Sequence, residues 1–345
     1  MIDQFVRLSK EAGMRSDWVH AAGGNTSVKL SETQMLIKAS GYQLCDVNEG
    51  HGYATINYKH IQDFFHTYTE QTVTKDAEAA LLKEAFISGE RPSIETYLHS
   101  LTDRVTLHSH PMLVNVIVSR NDYEEVLKQL FPEALIVSYA APGMELAMKF
   151  YEAYREKPSE IIFMQNHGLI VSGDSVSGVL QKTEQVVGIL ADYLKQDCAP
   201  FSMITKIDEL LHRTVPSYSG VVYLSENQSV WQAIKANENN MWEYRFCPDA
   251  LVYMGKSVLQ STSGINESML EHHLQKFGMP GVLLIDGHLY IVADTLKKAR
   301  EAETVISFTA QVALLNQTAD RHLLSEEEQN FLLNWDAEKF RKNKS

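Results

Sequence analysis

The chain has 345 residues, 44% of them hydrophobic, and a formal net charge of −13; this length exceeds one typical core and predicts two domains. The acidic balance excludes a nucleic-acid surface, which needs a basic stripe, although local basic residues can still receive a single phosphate. No apolar run approaches the roughly 18 residues of a membrane span, and Met1-Ile2-Asp3-Gln4 has neither the basic region nor the apolar core of a signal peptide, so cytoplasmic residence without a membrane partner is expected.

In chain order, Phe5, Val6, Leu8 and Ala12 lie near helical spacing and predict a helix from Ile2 to about Met14, with Gly13 as its stop. Val28 to Leu30, Met35 to Lys38 and Ala54 to Asn57 read as short strands. Thr74 to Phe86 reads as a helix capped by Thr74, and Ser93 to Leu101 as a helix beginning after Pro92, which puts Glu95 in its first turn. Val105 to His110 is a predicted strand, whereas Val114 to Val118 is apolar throughout, so periodicity leaves helix and strand open. Helices follow at Tyr123 to Leu130, Met144 to Tyr154 and Ser175 to Lys195, around strands at Leu135 to Val137, Ile161 to Met164 and Leu169 to Val171. The sum is a mixed α/β layer structure.

A boundary falls near Cys198-Ala199-Pro200, but Ile204 to His212 extends the first packing, so the domains are set at 1–205 and 206–345. Beyond it, Val282 to Val292 and the helix from Thr295 can be laid over Ile161 to Val171 and its following helix, with the turn histidine shifted by one place. A one-residue shift on extended backbone reverses side-chain direction, and this half has no His-x-His. The second domain is therefore read as a smaller α/β unit, a degenerate copy without metal. Its Trp231, Trp242 and Tyr244 are read as core, and Ser325 to Lys344 as a charged amphipathic helix and tail.

The chemistry concentrates in Arg91-Pro92-Ser93-Ile94-Glu95, Leu107-His108-Ser109-His110-Pro111 and Gln165-Asn166-His167-Gly168. On a strand, His108 and His110 point to one face, and His167 completes a three-nitrogen set. Three neutral imidazoles suit Zn²⁺ or a similar divalent ion, and three protein ligands leave a fourth position for substrate or water, as in catalytic sites. Each piece alone has a plainer reading: surface histidines on an alternating strand, and a turn histidine beside a permissive glycine. Cys45, Cys198 and Cys247 form no Cys-x-x-Cys pair, which excludes a thiolate zinc site or a disulfide framework.

A second pocket lies upstream. In Gly23-Gly24-Asn25-Thr26-Ser27 and Lys38-Ala39-Ser40-Gly41 the glycines let backbone amides converge on an anion, Asn25, Ser40 and Ser93 add side-chain donors, and Lys38 adds charge. Such loops are also common as plain turns. Ser93, at a helix start where free amides favour anions, is the best single phosphate candidate.

These five motifs stand in the order and spacing of the class II aldolase/adducin family, and over about the first 200 residues the chain resembles the aldolase portion of the bifunctional rhamnulose-1-phosphate aldolase/alcohol dehydrogenase proteins. Their dehydrogenase part has no counterpart, since no Gly-x-Gly-x-x-Gly follows a strand. The resemblance implies a three-layer α/β/α domain with a central mixed sheet. It also implies zinc on His108, His110 and His167, Glu95 as acid/base, and Gly24, Asn25, Lys38, Ser40, Gly41 and Ser93 around a phosphate. One position departs: Ile94 stands where other aldolases of the family have a second serine, which removes a phosphate donor, although the rhamnulose-type subgroup shares the isoleucine. A homo-oligomer, a tetramer by the same resemblance, is expected.

The implied activity is a zinc-dependent aldolase of carbohydrate metabolism that cleaves a ketose 1-phosphate to dihydroxyacetone phosphate and an aldehyde. The divalent cation acts as Lewis acid to the enediolate. Glu95 shuttles the proton, with burial raising its pKa and the cation lowering it. The competing readings are a sugar-phosphate epimerase or dehydratase on the same site, separated by product analysis, and a non-catalytic interaction module as in adducin, separated by a metal-binding assay.

Overall fold

The computed structural model describes residues 1–67, 75–236, 242, 245–316 and 322–334. Met1–Cys198 forms one compact unit and Ala199–Ser345 another. The expected 205/206 border falls inside a helix, Ala199–Thr214, that belongs to the second unit. The chain breaks earlier because Lys195 adopts the left-handed conformation (φ 55°, ψ 45°), and its amide closes on Ala191 and Asp192. A new helix then starts at Ala199, with Pro200 in its first turn, where a missing N–H costs nothing.

The first unit runs α1 (Ile2–Met14), β1 (Asn25–Lys29), β2 (Gln34–Lys38), β3 (Tyr53–Asn57), α2 (Tyr58–Thr67), α3 (Lys75–Ala85), β4 (Phe86–Gly89), α4 (Thr96–Leu101) and β5 (Val105–Ser109). It continues through α5 (Met112–Val118), α6 (Tyr123–Leu130), β6 (Leu135–Val137), α7 (Met144–Glu156), β7 (Ile161–Met164), β8 (Gly168–Gly173) and α8 (Val176–Leu194). The sheet has eight strands in the order β4-β3-β2-β1-β5-β8-β7-β6, antiparallel except for the parallel β6–β7 pair.

Side-chain alternation assigns the layers. Leu36, Leu107, Phe163, Leu169 and Val171 enter one core with α1, α5, α6 and α8. Their strand neighbours Met35, Ile37, Ile162, Met164 and Ile170 enter the opposite core with α2, α3, α4 and α7. Both faces are covered, so β7 and β8 read as continuous apolar runs. This is the expected α/β/α architecture with a mixed sheet.

Local differences have physical causes. Residues 114–118 belong to a helix, because Leu113, Val114, Ile117 and Val118 are buried on one face while Val116 is 43% exposed. The helix expected from Ser93 starts only at Thr96: Pro92 is held extended by a bridge to Ala39, and Ser93 to Thr96 close a turn through Thr96 N donating to Ser93 O at 3.1 Å. The helix α2 and the edge strand β4 were not among the expected elements. Thr74, Tyr244 and residues 335–344 lie outside the described residues.

The second unit runs α9 (Ala199–Thr214), β9 (Val221–Leu224), α10 (Gln228–Lys235), α11 (Pro248–Met254), β10 (Leu259–Ser261), α12 (Glu267–Phe277), β11 (Val282–Ile285), β12 (His288–Ala293), α13 (Leu296–Leu315) and α14 (Glu326–Asn334). Its four strands are ordered β10-β11-β12-β9, and β10–β11 is the parallel pair. From β9 to α13 the succession of strands and helices repeats that from β5 to α8, and the strand order repeats β6-β7-β8-β5. Ser175 and Thr295 cap the closing helices in the same way, accepting from Gly178 N and Lys298 N. Trp242 is core as expected, but Trp231 is 40% exposed, with Lys235 Nζ 4.2 Å from its ring centre. On α10 it falls on the side away from the buried Val230 and Ala233.

Candidate metal centre

The centre forms at the ends of β1, β5 and β8, on the α4 face of the large sheet. His108 is on β5 next to Leu107, whose side chain goes to the opposite core, so the imidazole points toward α4. It is fully buried, and its Nδ1 lies 3.1 Å from the Leu169 carbonyl. A carbonyl only accepts, so Nδ1 carries the proton and Nε2 presents a lone pair to the centre.

His110 lies one residue beyond the strand, where its amide donates to Trp18 O at 2.8 Å. The turn between β7 and β8 brings in His167, helped by Asn166 in the left-handed region (φ 54°), which asparagine tolerates. Two glycines make room for the His110 ring. A Cβ at Gly168 would sit 2.9 Å from its Cδ2 and strike the Ser109 carbonyl, and one at Gly23 would sit 3.1 Å from its Nδ1.

The His108 ring meets those of His110 and His167 edge to face, with centroids 4.7 and 4.9 Å apart, and the His110 and His167 rings are tilted to each other at 5.3 Å. Glu95 Oε1 lies 3.0 Å from His167 Nε2 and 3.3 Å from His108 Nε2, and the Nε2 atoms of His110 and His108 are 2.9 Å apart. One ligand atom from each of the four residues falls within 4.8 Å of the others. With bonds of about 2.0–2.1 Å, ligand atoms around one tetrahedral ion are about 3.3 Å apart. The donor set therefore fits a divalent cation: lone pairs and a carboxylate converge where neutral hydrogen bonding alone satisfies them poorly.

Burial raises the Glu95 carboxyl's pKa, but positive charge and hydrogen bonding at the Nε2 positions of His108 and His167 outweigh it and hold the group well below the usual carboxylate range, and a cation held on the same nitrogens would act in the same direction. Glu95 is thus ionised at neutral pH, the opposite of the raised value that burial alone suggests. Its Oε2 accepts from Asn25 Nδ2. Burial, reinforced by the neighbouring histidines, pushes His110 down to about 3, which keeps that imidazole neutral.

Of the residues singled out for phosphate, Asn25 and Ser93 bond to Glu95, and Ser40 and Gly41 lie on a loop tied to the Arg91–Ser93 stretch. Ser40 N donates to Arg91 O at 2.8 Å, which lays the Lys38–Gly41 loop beside Ser93. Ser93 Oγ accepts from Glu95 N at 3.3 Å, but Ser93 precedes the helix and is not at its N-terminus. Gly41 has φ 85° and open space above it, whereas Gly24 (φ 75°) packs so that a Cβ would reach the His108 carbonyl at 3.0 Å. Lys38 is 2% exposed, and its ammonium donates to the carbonyls of Ala22, Ala39 and Tyr42 at 3.3, 3.1 and 2.7 Å. It therefore ties the two loops together from beneath. Burial lowers its pKa to about 8, with Glu95 pulling the other way. Sequence reasoning passed over His99, Trp18 and Leu169 O; for His99 the signal was present, since it follows Glu95 by one helical turn.

Residues 3–194 match the family model described as the Class II Aldolase and Adducin N-terminal domain. The chain belongs to that family. Among class II aldolase structures it is similar to the N-terminal class II aldolase domain of a conserved protein from Thermoplasma acidophilum, at 24% identity and a TM-score of 0.50, covering 56% of this chain and 93% of that one. A sugar-phosphate aldolase from Thermotoga maritima aligns at 14% identity and a TM-score of 0.41, over 56% of this chain and 94% of that chain. In sequence, the chain is 24% identical over 206 residues to the Bacillus subtilis (strain 168) protein named uncharacterized oxidoreductase YuxG, a match that takes in 56% of this chain. The match spans only 29% of that relative's length. Among the described residues, no helix is long and apolar enough to cross a membrane.

Proposed function

We propose that the chain is a zinc-dependent aldolase that cleaves a ketose 1-phosphate to dihydroxyacetone phosphate and an aldehyde. The observation that carries this reading is the convergence of Glu95 Oε1 with the imidazoles of His108, His110 and His167 beside the Asn25, Ser40–Gly41 and Ser93 loops. Membership of the class II aldolase and adducin family supports it.

The three imidazoles would hold the ion, with His108 fixed in the required tautomer by Leu169 O. When bound, a divalent cation supplies Lewis-acid stabilisation of the negative charge that develops on the substrate's oxygens. Glu95 is ionised and enters as a base: it takes the proton of the hydroxyl whose oxygen becomes the aldehyde. The carbon–carbon bond then breaks, its electron pair moves to the carbon beside the ketone, and Glu95 returns the proton there, so charge and atoms balance. Asn25 Nδ2 holds the second carboxylate oxygen and keeps Oε1 turned toward the histidines. Gly24, Ser40, Gly41 and Ser93 receive the phosphate, and Lys38 braces their loops. Cytoplasmic residence and a homo-oligomeric, tetrameric assembly belong to the same proposal.

A panel of ketose 1-phosphates, coupled to a dihydroxyacetone phosphate reporter, tests it. The wild type releases the triose phosphate, and Glu95→Gln lowers kcat by about 10²- to 10⁴-fold while keeping the metal. Triose phosphate release at the wild-type rate by Glu95→Gln, or no release from any ketose phosphate by the zinc-loaded wild type, contradicts the reading.

A further inference from the structure

Glu95 works only if its carboxylate stays aimed at the histidines, yet it stands at the mouth of a weak element. The helix α4 spans only Thr96–Leu101, and Glu95 is its N-cap residue with no side-chain cap bond. A helix this short does not hold itself in water. Its position comes from burial of Tyr97 and Leu98 in the core and from ties to the sheet, and two of those ties fall in register.

On β1, Asn25 and Ser27 are two residues apart and share the α4 face, since Thr26 between them points the other way to Ser9 on α1. On the α4 side, Glu95 and His99 are four residues apart and share one helical face, and His99 N donates to Glu95 O at 3.2 Å. The spacings match, at about 6.6 Å for i,i+2 on a strand and about 6.0 Å for i,i+4 on a helix. Asn25 Nδ2 donates to Glu95 Oε2, and His99 Nδ1 lies 2.8 Å from Ser27 Oγ. The strand and the helix are thus buttoned at two points, the first on the carboxylate and the second one turn behind it.

We propose that His99 is a positioning residue for Glu95: through Ser27 it fixes the rotation of α4 on β1 and so aims the carboxylate at His108 and His167. The proposal rests on the aldolase reading for its kinetic consequence and on geometry alone for its structural one. His99 is fully buried. Burial pushes its pKa down to about 3, so the imidazole is neutral and acts as a hydrogen-bonding spacer. Other ties hold the far end of α4: Lys29 Nζ donates to Ser100 O at 3.2 Å and to Thr102 O, and Gln62 Nε2 to Ser100 O at 2.9 Å. Tyr97 Oη also donates to Glu78 O at 2.8 Å, and Tyr97 and Leu98 are buried, but the β1 pairs are the ties made by the Glu95 carboxylate itself and by the residue one turn behind it.

The test compares zinc-loaded wild type, His99→Asn, His99→Ala and Ser27→Ala. Asparagine places a polar group near the position of Nδ1 and is expected to retain activity within about threefold, whereas Ser27→Ala and His99→Ala lower kcat by about 10- to 100-fold with KM within about twofold and zinc content unchanged. The double variant Ser27→Ala/His99→Ala is expected to lose no more than the worse single one, because both remove the same contact. Wild-type kcat in folded Ser27→Ala, or losses that multiply in the double variant, overturn the proposal. A crystal structure of zinc-loaded Ser27→Ala reads the same point without turnover. Displacement of the Glu95 carboxylate with the three histidines in place supports the inference, and an unmoved carboxylate overturns it, even if no ketose phosphate is a substrate.

Discussion

The run from β5 to α8 and the run from β9 to α13 have the same succession of elements and the same strand order, yet only the first carries a metal-binding constellation among the described residues. Their registers can be superposed residue by residue. His108 pairs with Ile170, and in the second unit Leu224 pairs with Tyr290 at the corresponding rung. His110 then corresponds to Glu226 and Ser109 to Ser225, whose Oγ donates to Glu303 Oε1 at 2.6 Å. The turns differ as well. Gln165-Asn166-His167 joins Met164 to Gly168, whereas Asp286-Gly287 joins Ile285 to His288 at the same rung. The shorter turn has no position for His167, and His288 takes the place of Gly168.

The comparison teaches that the layered fold and the site draw on different residues. Val171 and Ile291, or Phe163 and Leu284, keep a hairpin against its helix in either unit. The site additionally needs two histidines around the end of one strand, one more residue in a turn, and a carboxylate from α4 that the second unit does not supply. This supports the proposal that the second unit is a metal-free copy.

Exchanging the turns breaks the comparison most sharply. Replacing Gln165-Asn166-His167 by Asp-Gly is expected to keep the helical and strand content by circular dichroism, because the shorter connection already joins the same hairpin in the second unit. Zinc affinity, read by competition with a chelating dye, should fall by more than the roughly 10- to 100-fold that loss of an outer partner costs. Retained affinity would mean that His167 is no ligand.

A smaller effect probes the part of the first unit that precedes β5 and has no counterpart in the second. Lys29 reaches the C-terminal carbonyls of α4, and burial lowers its pKa to about 8 from 10.5, with Asp103 acting in the opposite direction. The folded-state value is the lower one, so between these two values the unfolded chain binds more protons and stability rises with pH. Urea unfolding followed from pH 8 to 10.5 should show that rise, and Lys29→Met should flatten it. An unchanged slope in the variant would remove Lys29 as its source.

The sequence made the layers and the three histidines legible, because both announce themselves through short-range pattern: a continuous apolar run in Ile161–Met164, His-x-His on β5, and His-Gly after a strand. It misplaced features set by pairing across the chain. Ser93 looked like a helix start beside Pro92, but the Ala39–Pro92 bridge holds that stretch extended. Lys38 looked like a phosphate ligand, but its neighbours are three carbonyls that only the folded loops bring to it. The direction of the Glu95 pKa was open in the sequence, since burial and positive charge oppose each other, and it is set by two histidines that lie far along the chain.

The central claim is one metal site per chain, built on His108, His110 and His167. Metal analysis of purified wild type and His108→Ala, after dialysis against a defined zinc concentration, tests it most directly. The account predicts about one zinc per wild-type chain and nearly none in folded His108→Ala, since the lost imidazole is a buried ligand and one of only three. Two zinc ions per wild-type chain, or an undiminished zinc content in His108→Ala, would contradict it.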